Sequence, residues 1–587
     1  MGAVCKASLP HQEFVHSAVL DHDGSYHMLW TPTEDKIIIE VQVATSGYAG
    51  LGFSPSGGMT GADMVIGWID KLGNVQLHDL HGIGNTRPRV DTSQDFTLLG
   101  GYQNDTHIIL RFSRPWTTCD ADHDFKLAGD TTRVIWAYNG VVPNDLSALP
   151  YHAKNRGTKS LYLREPKFQN ALNEDLQYWE VKSPNVELPK HLDTLYWCSM
   201  FKVPNLKKKN HVVAITPLIQ PAINFKYVHH MILYQCHIEN SEQVLDKFLV
   251  TKGTQCYSAN MPLSWSTCTV PLATWAVGSE GAFLPDHVGL PLGEEHGGAD
   301  YFMLEMHYDN PFFDQGIVDN SGLRVYHTDR LREHDAGVLT IGINVEPLHM
   351  IPPGVKQWTS FGQCSSDCTK ASYRRTKIFI TSIRPYSELV PRQRVVQPHG
   401  IIVVLKDDDN YNFNYQEGRS VYPEMKLLPG DSLLAECHYD SSSRINTTFG
   451  GFASRDEMCL IFLTYYPKID LGLCQTTPTA ATLLQPLGIY GFYPQTESVN
   501  TRTNGTTIED QQMAANNPLN ATEISLGHFL KQLVVNEPPE LANRSWYDIL
   551  NDKATWTNER LTTFQNAVKI GEHKNNCLTP NISSING

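Results

Sequence analysis

The stretch VHHMILYQC at residues 228–236 reads as a β-strand and carries two adjacent histidines. It is a short run of β-branched, aliphatic and aromatic residues, which is the composition typical of strands. Three similar runs lie near it in the sequence: HVVAITPLI at 211–219, ATWAVG at 273–278 and DYFMLEMHY at 300–308. Short strands at this spacing, separated by turns, predict an antiparallel β-sandwich over residues 191–335.

The same pattern continues on both sides of this block. Strand-like runs fill residues 26–113, among them KIIIEVQVA and HIILRFS, and residues 336–475, among them AGVLTIGINV and CLIFLTYY. The Gly-rich stretch SGYAGLGFSPSGGMTG at 46–61 is predicted to be a turn region. We therefore predict an all-β chain whose 587 residues, at roughly 100–200 residues per domain, form several domains.

The composition and net charge of the chain indicate which classes of partner to expect. Asp and Glu number 62 and Lys and Arg 47, a formal net charge of -15. Nucleic-acid-binding proteins are usually basic, so we expect no nucleic acid partner. No run approaches the roughly 18 apolar residues that a membrane helix needs, so we expect no membrane span. The sequence is compatible with an oligomer and does not specify one.

The cysteines and sequons indicate an oxidising compartment. The twelve cysteines are an even number, and the close pair Cys364 and Cys368 has no second close pair that would complete a zinc ribbon. We therefore expect disulfides and folding in the secretory pathway lumen or secretion, although residues 1–14 contain no apolar core of a signal peptide. The expected glycosylation sites are Asn104, Asn446, Asn504, Asn520, Asn543 and Asn581.

Four segments carry five candidate metal or catalytic residues: the pair His229 and His230 in VHHMILYQC, His307 in LEMHYDNP, Met458 in DEMCLIF and Tyr196 in LYWC. Neutral imidazole and thioether together suit copper. However, 24 histidines make one adjacent pair unremarkable by chance, and a lone Met458 also fits a core. Neighbouring residues of a regular strand face opposite sides, so the pair shares an ion only if the strand is distorted or one ring binds through Nδ1.

Several motifs taken in order suggest a family. The sequence resembles the copper type II, ascorbate-dependent monooxygenases, and within them the dopamine β-hydroxylase-like branch. The core motifs appear in the family's order: LYWC, VHHMILYQC, LEMHYDNP, MIPPG, LLPGDSLLAECHYD and GGFASRDEMCL. Upstream, GLGFSPSGGMTGADMVIGWID and FSRPWTTCD resemble a DOMON domain.

The resemblance implies an architecture. It predicts an N-terminal DOMON β-sandwich followed by two antiparallel jelly-roll-like β-sandwich domains, each carrying one copper across a solvent-filled cleft. The predicted divisions are a DOMON domain at 15–130, a linker at 131–190, copper monooxygenase N- and C-terminal domains at 191–335 and 336–490, and an irregular C-terminal extension at 491–587.

The resemblance also implies a reaction and its residues. One copper stores an electron from ascorbate, and the other binds O2 and inserts one oxygen atom into a C–H bond of a small aromatic or amine-type substrate. His229, His230 and His307 match the ligands of the electron-storing copper. Met458 matches the thioether ligand of the oxygen-binding copper, and Tyr196 matches a tyrosine often assigned a catalytic role.

The same resemblance implies a set of disulfides. It suggests the pairs Cys198–Cys256, Cys236–Cys268, Cys364–Cys474 and Cys437–Cys459. It further suggests Cys119–Cys577, which leaves Cys368 and Cys5 without evident partners.

One motif of the family is absent. The oxygen-binding copper needs a His-x-His on a strand, but after KIFITSI the chain reads Arg384, Pro385 and Tyr386. An arginine adds a permanent positive charge where a copper cation would sit, and proline cannot donate a ladder hydrogen bond. We favour a changed surface loop here over a rebuilt site in which His399 substitutes as ligand. We therefore expect one copper here, against two in the family.

Three functions remain open at this stage. The first is a copper monooxygenase that uses O2, ascorbate and a small-molecule substrate. The second is a non-catalytic descendant that holds copper. The third is electron transfer by a haem in the DOMON domain, for which Met59 and Met64 are available. The number and kind of metal per chain distinguishes them.

Overall fold

The computed structural model describes residues 13–21, 23–165, 176–220, 226–372, 377–387, 391–396, 402–408, 410–451, 456–493 and 530–578. The fold is all-β, as the sequence predicts, with short helices between strands. The α-helices described are Ser241–Leu245, Ser366–Ser372, Ala480–Leu484, Trp546–Asn551 and Asn558–Ile570. None of the described helices is long and apolar enough to cross a bilayer.

The first compact unit comprises residues up to 169 together with 408–412, and it is a sandwich of two antiparallel sheets. In spatial order, the first sheet contains His16–Val19, Tyr26–Pro32, Lys36–Val43, Ile108–Pro115 and Thr97–Gln103. The second contains Arg156–Leu161, Thr132–Asn139, Tyr48–Ser54, Asp63–Ile69, Val75–His81 and Arg89–Val90. Inward-facing side chains of both sheets, such as Tyr26 and Phe53, form one apolar core.

Two sequence predictions fail in this unit. The Gly-rich stretch 46–61 is not simply a turn region, because Tyr48–Ser54 is a fully buried central strand. Glycine is required there, since a Cβ at Gly52 would lie 2.6 Å from Cγ of Met64. Nor is 131–190 a linker: Thr132–Asn139 and Arg156–Leu161 complete the second sheet. The polar composition that suggested a linker reflects the partly exposed strand Arg156–Leu161 at the edge of that sheet.

The second unit, residues 170–407 and 413–587, begins with another pair of antiparallel sheets. The first has the order Gln177–Lys182, Gly322–Thr328, Asn210–Leu218 and Val288–Leu292, and the short strand His334–Asp335 joins it in parallel. The other has the order Thr254–Gln255, Thr194–Lys202, Tyr301–Asp309, Val228–Cys236 and Cys268–Ala276. The candidate histidines lie on this second sheet.

A further pair of sheets forms the later part of this unit. One has the order Arg419–Leu427, Ile378–Ser387, Cys459–Tyr466, Gly337–Ile343, Leu473–Pro478 and His573–Leu578. The other has the order Trp358–Cys364, Ser432–Tyr439, Pro391–Val396 and Ile402–Asp407. The extension predicted to be irregular is structured where it is described, because Trp546, Phe564 and Val568 share an apolar core with Trp358 of these sheets.

Five disulfides lie among the described residues of the second unit. Four are the pairs that the resemblance implied: Cys198–Cys256, Cys236–Cys268, Cys364–Cys474 and Cys437–Cys459. The expected Cys119–Cys577 pair is wrong, because the strand His573–Leu578 brings Cys577 to Cys368 instead. Cys119 is exposed and pairs with none of the cysteines that the structure describes, and Cys5 lies outside the described residues.

Glycosylation at the six expected sites requires an asparagine that is exposed to solvent. Asn104, Asn446 and Asn543 are exposed. Asn504, Asn520 and Asn581 lie outside the described residues.

Candidate metal centre

A β-bulge explains how two adjacent histidines reach one face. In the ladder between Val228–Cys236 and Tyr301–Asp309, Val228 pairs with Tyr308 and His230 pairs with His307, so the register shifts at His229. A bulge inserts one extra residue and re-aims its side chain. The strict alternation of a regular strand is therefore broken at the point where both imidazoles would have to face one ion.

The three histidines converge through the same ring atom. Nδ1 of His230 lies 3.2 Å from Nδ1 of His229 and 3.1 Å from Nδ1 of His307. All three side chains are buried. Imidazole nitrogens bind metals such as zinc at about 2.0–2.1 Å, so nitrogens this close together can share one ion. We call His229, His230 and His307 the trihistidine site.

Oxygen atoms of neighbouring side chains lie near Nε2 of two of the rings. Thr194 Oγ1 lies 2.8 Å from Nε2 of His307, and Glu305 Oε1 lies 3.5 Å from Nε2 of His230. When Nε2 carries the proton and donates to these oxygens, Nδ1 keeps its lone pair for a metal. Tyr257 donates a hydrogen bond to the other oxygen of Glu305 and so fixes that carboxylate.

Tyr196 lies directly on the site. It pairs with His307 in the adjacent ladder, and their rings stack with centroids 4.1 Å apart and planes 11° from parallel. Its ring also meets that of His230 edge-on, with centroids 5.5 Å apart. Tyr196 therefore limits the positions available to His307.

The electrostatics favour neutral imidazoles. Burial lowers the pKa of His229 to about 4, and burial together with the neighbouring imidazoles lowers the pKa values of His230 and His307 well below the usual range. Three uncharged Nδ1 atoms that face one another repel through their lone pairs unless a cation lies between them. This donor set fits copper, which imidazole binds in both oxidation states.

The tautomer argument predicts an effect at Thr194. Replacing Thr194 with valine keeps the shape but removes the acceptor for Nε2–H of His307. Outer-shell partners of this kind typically contribute 10–100-fold to metal affinity, so we expect a loss of that size for copper. Competition titration with a Cu(I) chelator measures it, with Thr194→Ser as the matched control. Equal affinities of the valine and serine variants would contradict this role.

The second predicted copper site is incomplete in the described residues. Met458 is partly buried and packs against the apolar core of the earlier sheets. The strand Ile378–Ser387 pairs Arg384 with Phe462 and Tyr386 with Leu460. Phe462 and Leu460 belong to the same apolar cluster that Met458 packs against, so the register places positions 384 and 386 on that face. No imidazole occupies either position, and His399 lies outside the described residues.

This stretch is a strand and not the changed surface loop that we favoured. The described pairing of the strand Ile378–Ser387 with the strand Arg419–Leu427 ends at Ile383. Pro385 lies beyond that pairing, so its lack of a backbone N–H removes no hydrogen bond to Arg419–Leu427. Arg384 is buried, and its guanidinium donates to the carbonyls of Thr274 and Gly281. It also forms an ion pair with Glu417 at 3.6 Å. The positive charge of Arg384 is therefore compensated by Glu417 and by the two carbonyl oxygens.

The solvent-filled cleft expected between the two copper domains is closed at this point. Arg384 of the later sheets bonds directly to Thr274 of the earlier ones. Phe413 stacks on His229 with ring centroids 4.5 Å apart. The two pairs of sheets are therefore in contact beside the trihistidine site.

Comparison with known proteins places these features in a family. Residues 179–315 match the N-terminal domain of the copper type II ascorbate-dependent monooxygenases, residues 334–485 match their C-terminal domain, and residues 22–139 match the DOMON domain. The chain is 37% identical over 489 residues to human DBH-like monooxygenase protein 1, covering 82% of this chain and 78% of the relative. This chain belongs to the copper type II ascorbate-dependent monooxygenases.

Other relatives of this chain are similar over most of its length. MOXD1 homolog 1 of Drosophila melanogaster is 35% identical over 83% of this chain and 71% of its own length. Dopamine beta-hydroxylase of Rattus norvegicus is 29% identical over 80% of this chain and 75% of its own length. The enzymes of this family bind copper, and they use ascorbate, O2 and a small-molecule substrate.

The sequence identified the three histidines but missed their supporting residues. Thr194 and Tyr257 lie outside the quoted motifs, and residues of these types occur throughout the chain. Glu305 lies inside LEMHYDNP, two residues before His307, but the motif was used only for its histidine. One signal was available for Thr194: it lies two residues before Tyr196, on the same face of one strand.

Proposed function

We propose that this chain holds one copper at the trihistidine site, cycles it with ascorbate, and is impaired in the oxygen insertion of its family. The observation that supports copper binding is the convergence of three buried Nδ1 atoms within 3.1–3.2 Å of their neighbours. A copper ion bound there would supply one-electron storage between Cu(I) and Cu(II).

The residues around that site have separate roles in the proposal. His229, His230 and His307 present their Nδ1 atoms. Thr194 and Glu305 hold the protons of His307 and His230 at Nε2. Phe413 covers His229 and excludes water from that side.

The impaired half of the proposal rests on the other site. Met458 is a single neutral thioether, and Arg384 places a guanidinium where the family's motif supplies an imidazole. These residues do not fit a second copper. If turnover occurs, the resemblance suggests that the substrate is a small aromatic or amine-type molecule, oxidised at a C–H bond.

The proposed location is the secretory pathway lumen or the extracellular space. Five disulfides within one unit support an oxidising compartment, because cytosolic thiols are kept reduced. The exposed sequons Asn104, Asn446 and Asn543 are compatible with glycosylation there.

Metal content and oxygen uptake test the proposed function together. We expect copper-loaded, chelator-washed protein to retain one copper per chain by elemental analysis. We expect ascorbate to reduce that copper, seen as loss of the Cu(II) resonance, with little oxygen consumption in the presence of phenethylamine-type substrates. Two coppers with sustained oxygen uptake would overturn the impaired half, and His399 would then be the first residue to replace. No copper would overturn the whole proposal.

A further inference from the structure

A second cluster of histidines lies in the DOMON domain, away from any motif of the copper core. His81 ends the strand Val75–His81, and Asp91 directly follows the strand Arg89–Val90 that pairs with it. Asp120 and His123 lie on a turn after the strand Ile108–Pro115. We call these four residues the DOMON histidine cluster.

The polar atoms of this cluster lie close enough together to contact one ion. Nδ1 of His81 lies 3.1 Å from Oδ2 of Asp91, and Nδ1 of His123 lies 3.7 Å from Oδ1 of the same carboxylate. Asp120 Oδ2 lies 3.2 Å from Nδ1 of His123. The ligand atoms offered by His81, Asp91 and His123 all lie within 4.8 Å of one another.

Burial of the carboxylate is the second observation. The side chain of Asp91 is only 1% exposed, and its Oδ1 has no hydrogen-bond partner among the residues that the structure describes. A buried carboxylate oxygen without a partner is costly, and a bound cation removes that cost. Oδ1 is also the oxygen that faces His123, so the orphaned atom points toward the other ligands.

The two imidazoles are arranged around this carboxylate. Their rings stack with centroids 4.2 Å apart and planes 18° from parallel, and both turn Nδ1 toward Asp91. His81 is 16% exposed at its side chain and His123 is 40% exposed, so the site is open to an ion from solvent on the His123 side.

We propose that His81, Asp91, Asp120 and His123 form a metal site for a divalent transition-metal ion of the zinc and copper class. Two imidazole nitrogens and two carboxylates are the donor set that Zn²⁺ accepts in four-coordinate sites and Cu²⁺ in tetragonal ones. Mg²⁺ and Ca²⁺ prefer sets made only of oxygen, so this cluster discriminates against them.

Zinc titration of the full chain tests the proposal. Chelator-treated protein is titrated with Zn²⁺ by calorimetry, comparing the unmodified chain with His123→Ala and with Asp120→Asn. His27→Ala is the matched control, because His27 is an exposed histidine of the same domain outside the cluster. We expect His123→Ala to lose one zinc equivalent, Asp120→Asn to weaken that event at least about 10-fold, and His27→Ala to leave it unchanged.

Two further measurements keep the outcome independent of the trihistidine site. His307→Ala should retain the zinc event that His123→Ala loses. With Cu²⁺ in place of Zn²⁺, electron paramagnetic resonance should show a second signal that also disappears in His123→Ala. Because His123 lies on an exposed turn, the variant should fold, which circular dichroism checks. Equal zinc stoichiometry and affinity in His123→Ala and His27→Ala would overturn the proposal.

Discussion

Replacing His307 with alanine should reduce bound copper from one per chain to nearly none. Two imidazoles would remain, and the central position that pairs with both Tyr196 and His230 would be empty. Outer-shell partners alone typically contribute 10–100-fold to metal affinity, so we expect losing a direct ligand to cost more than about 100-fold. Elemental analysis after dialysis against a weak chelator measures the loss.

Controls separate a lost ligand from a damaged fold. His307→Gln retains much of the side-chain volume under Tyr196 and should lose copper as well. His191→Ala removes an exposed histidine of the same unit and should keep copper. The apo forms of all variants should unfold at similar urea concentrations. Unchanged copper in both His307 variants would mean that other residues coordinate it.

The sequence identified which histidines lie together, but it did not predict their geometry. The all-β class and the three histidines follow from strand composition and from motifs in order. The bulge at His229 could not be predicted, because a one-residue register shift depends on the pairing partner Tyr301–Asp309, which lies about seventy residues further along the chain.

The other incorrect predictions also concern features that depend on contacts between residues far apart in the chain. Tyr48–Ser54 looked like a turn because its glycines were counted as turn residues, whereas their role is to admit the side chains of a neighbouring strand. Cys119 was assigned to Cys577 by position in the chain, but pairing depends on the edge strand His573–Leu578. From the sequence, Arg384 is only a permanent positive charge at a copper position, because its partners Thr274 and Gly281 lie more than a hundred residues away.

The partners of Arg384 change what is needed to rebuild the second copper site. Substituting Arg384→His and Tyr386→His, with Pro385→Ala, would return two imidazoles to the face shared with Leu460 and Phe462. However, the same change removes the cation that faces Glu417. Burial raises the pKa of Glu417 above its usual range, and Arg384 opposes that rise. Removing one partner of a buried ion pair typically costs about 3–5 kcal/mol.

We therefore expect the triple variant to be less stable by about 3 kcal/mol, the lower end of that range, because Glu417 keeps hydrogen bonds from the backbone of Glu280 and Gly418. Adding Glu417→Gln removes the unpaired charge and should restore most of the stability. Urea unfolding of the apo proteins compares the two. Arg384→Met with and without Glu417→Gln is the matched pair that tests the ion pair without new metal ligands.

The copper content of the quadruple variant tests whether the second site lacks only its two imidazole ligands. The quadruple variant should bind two coppers per chain where the unmodified chain binds one, and ascorbate-dependent oxygen uptake should rise above that of the unmodified chain. The reason is that Met458 would gain two imidazoles in place of a guanidinium, a donor set that holds copper. Because Arg384 also joins the later sheets to Thr274, its loss frees the contact between the two domains beside the trihistidine site. A stable quadruple variant that still binds one copper would show that restoring the two imidazoles is not sufficient to form the second site.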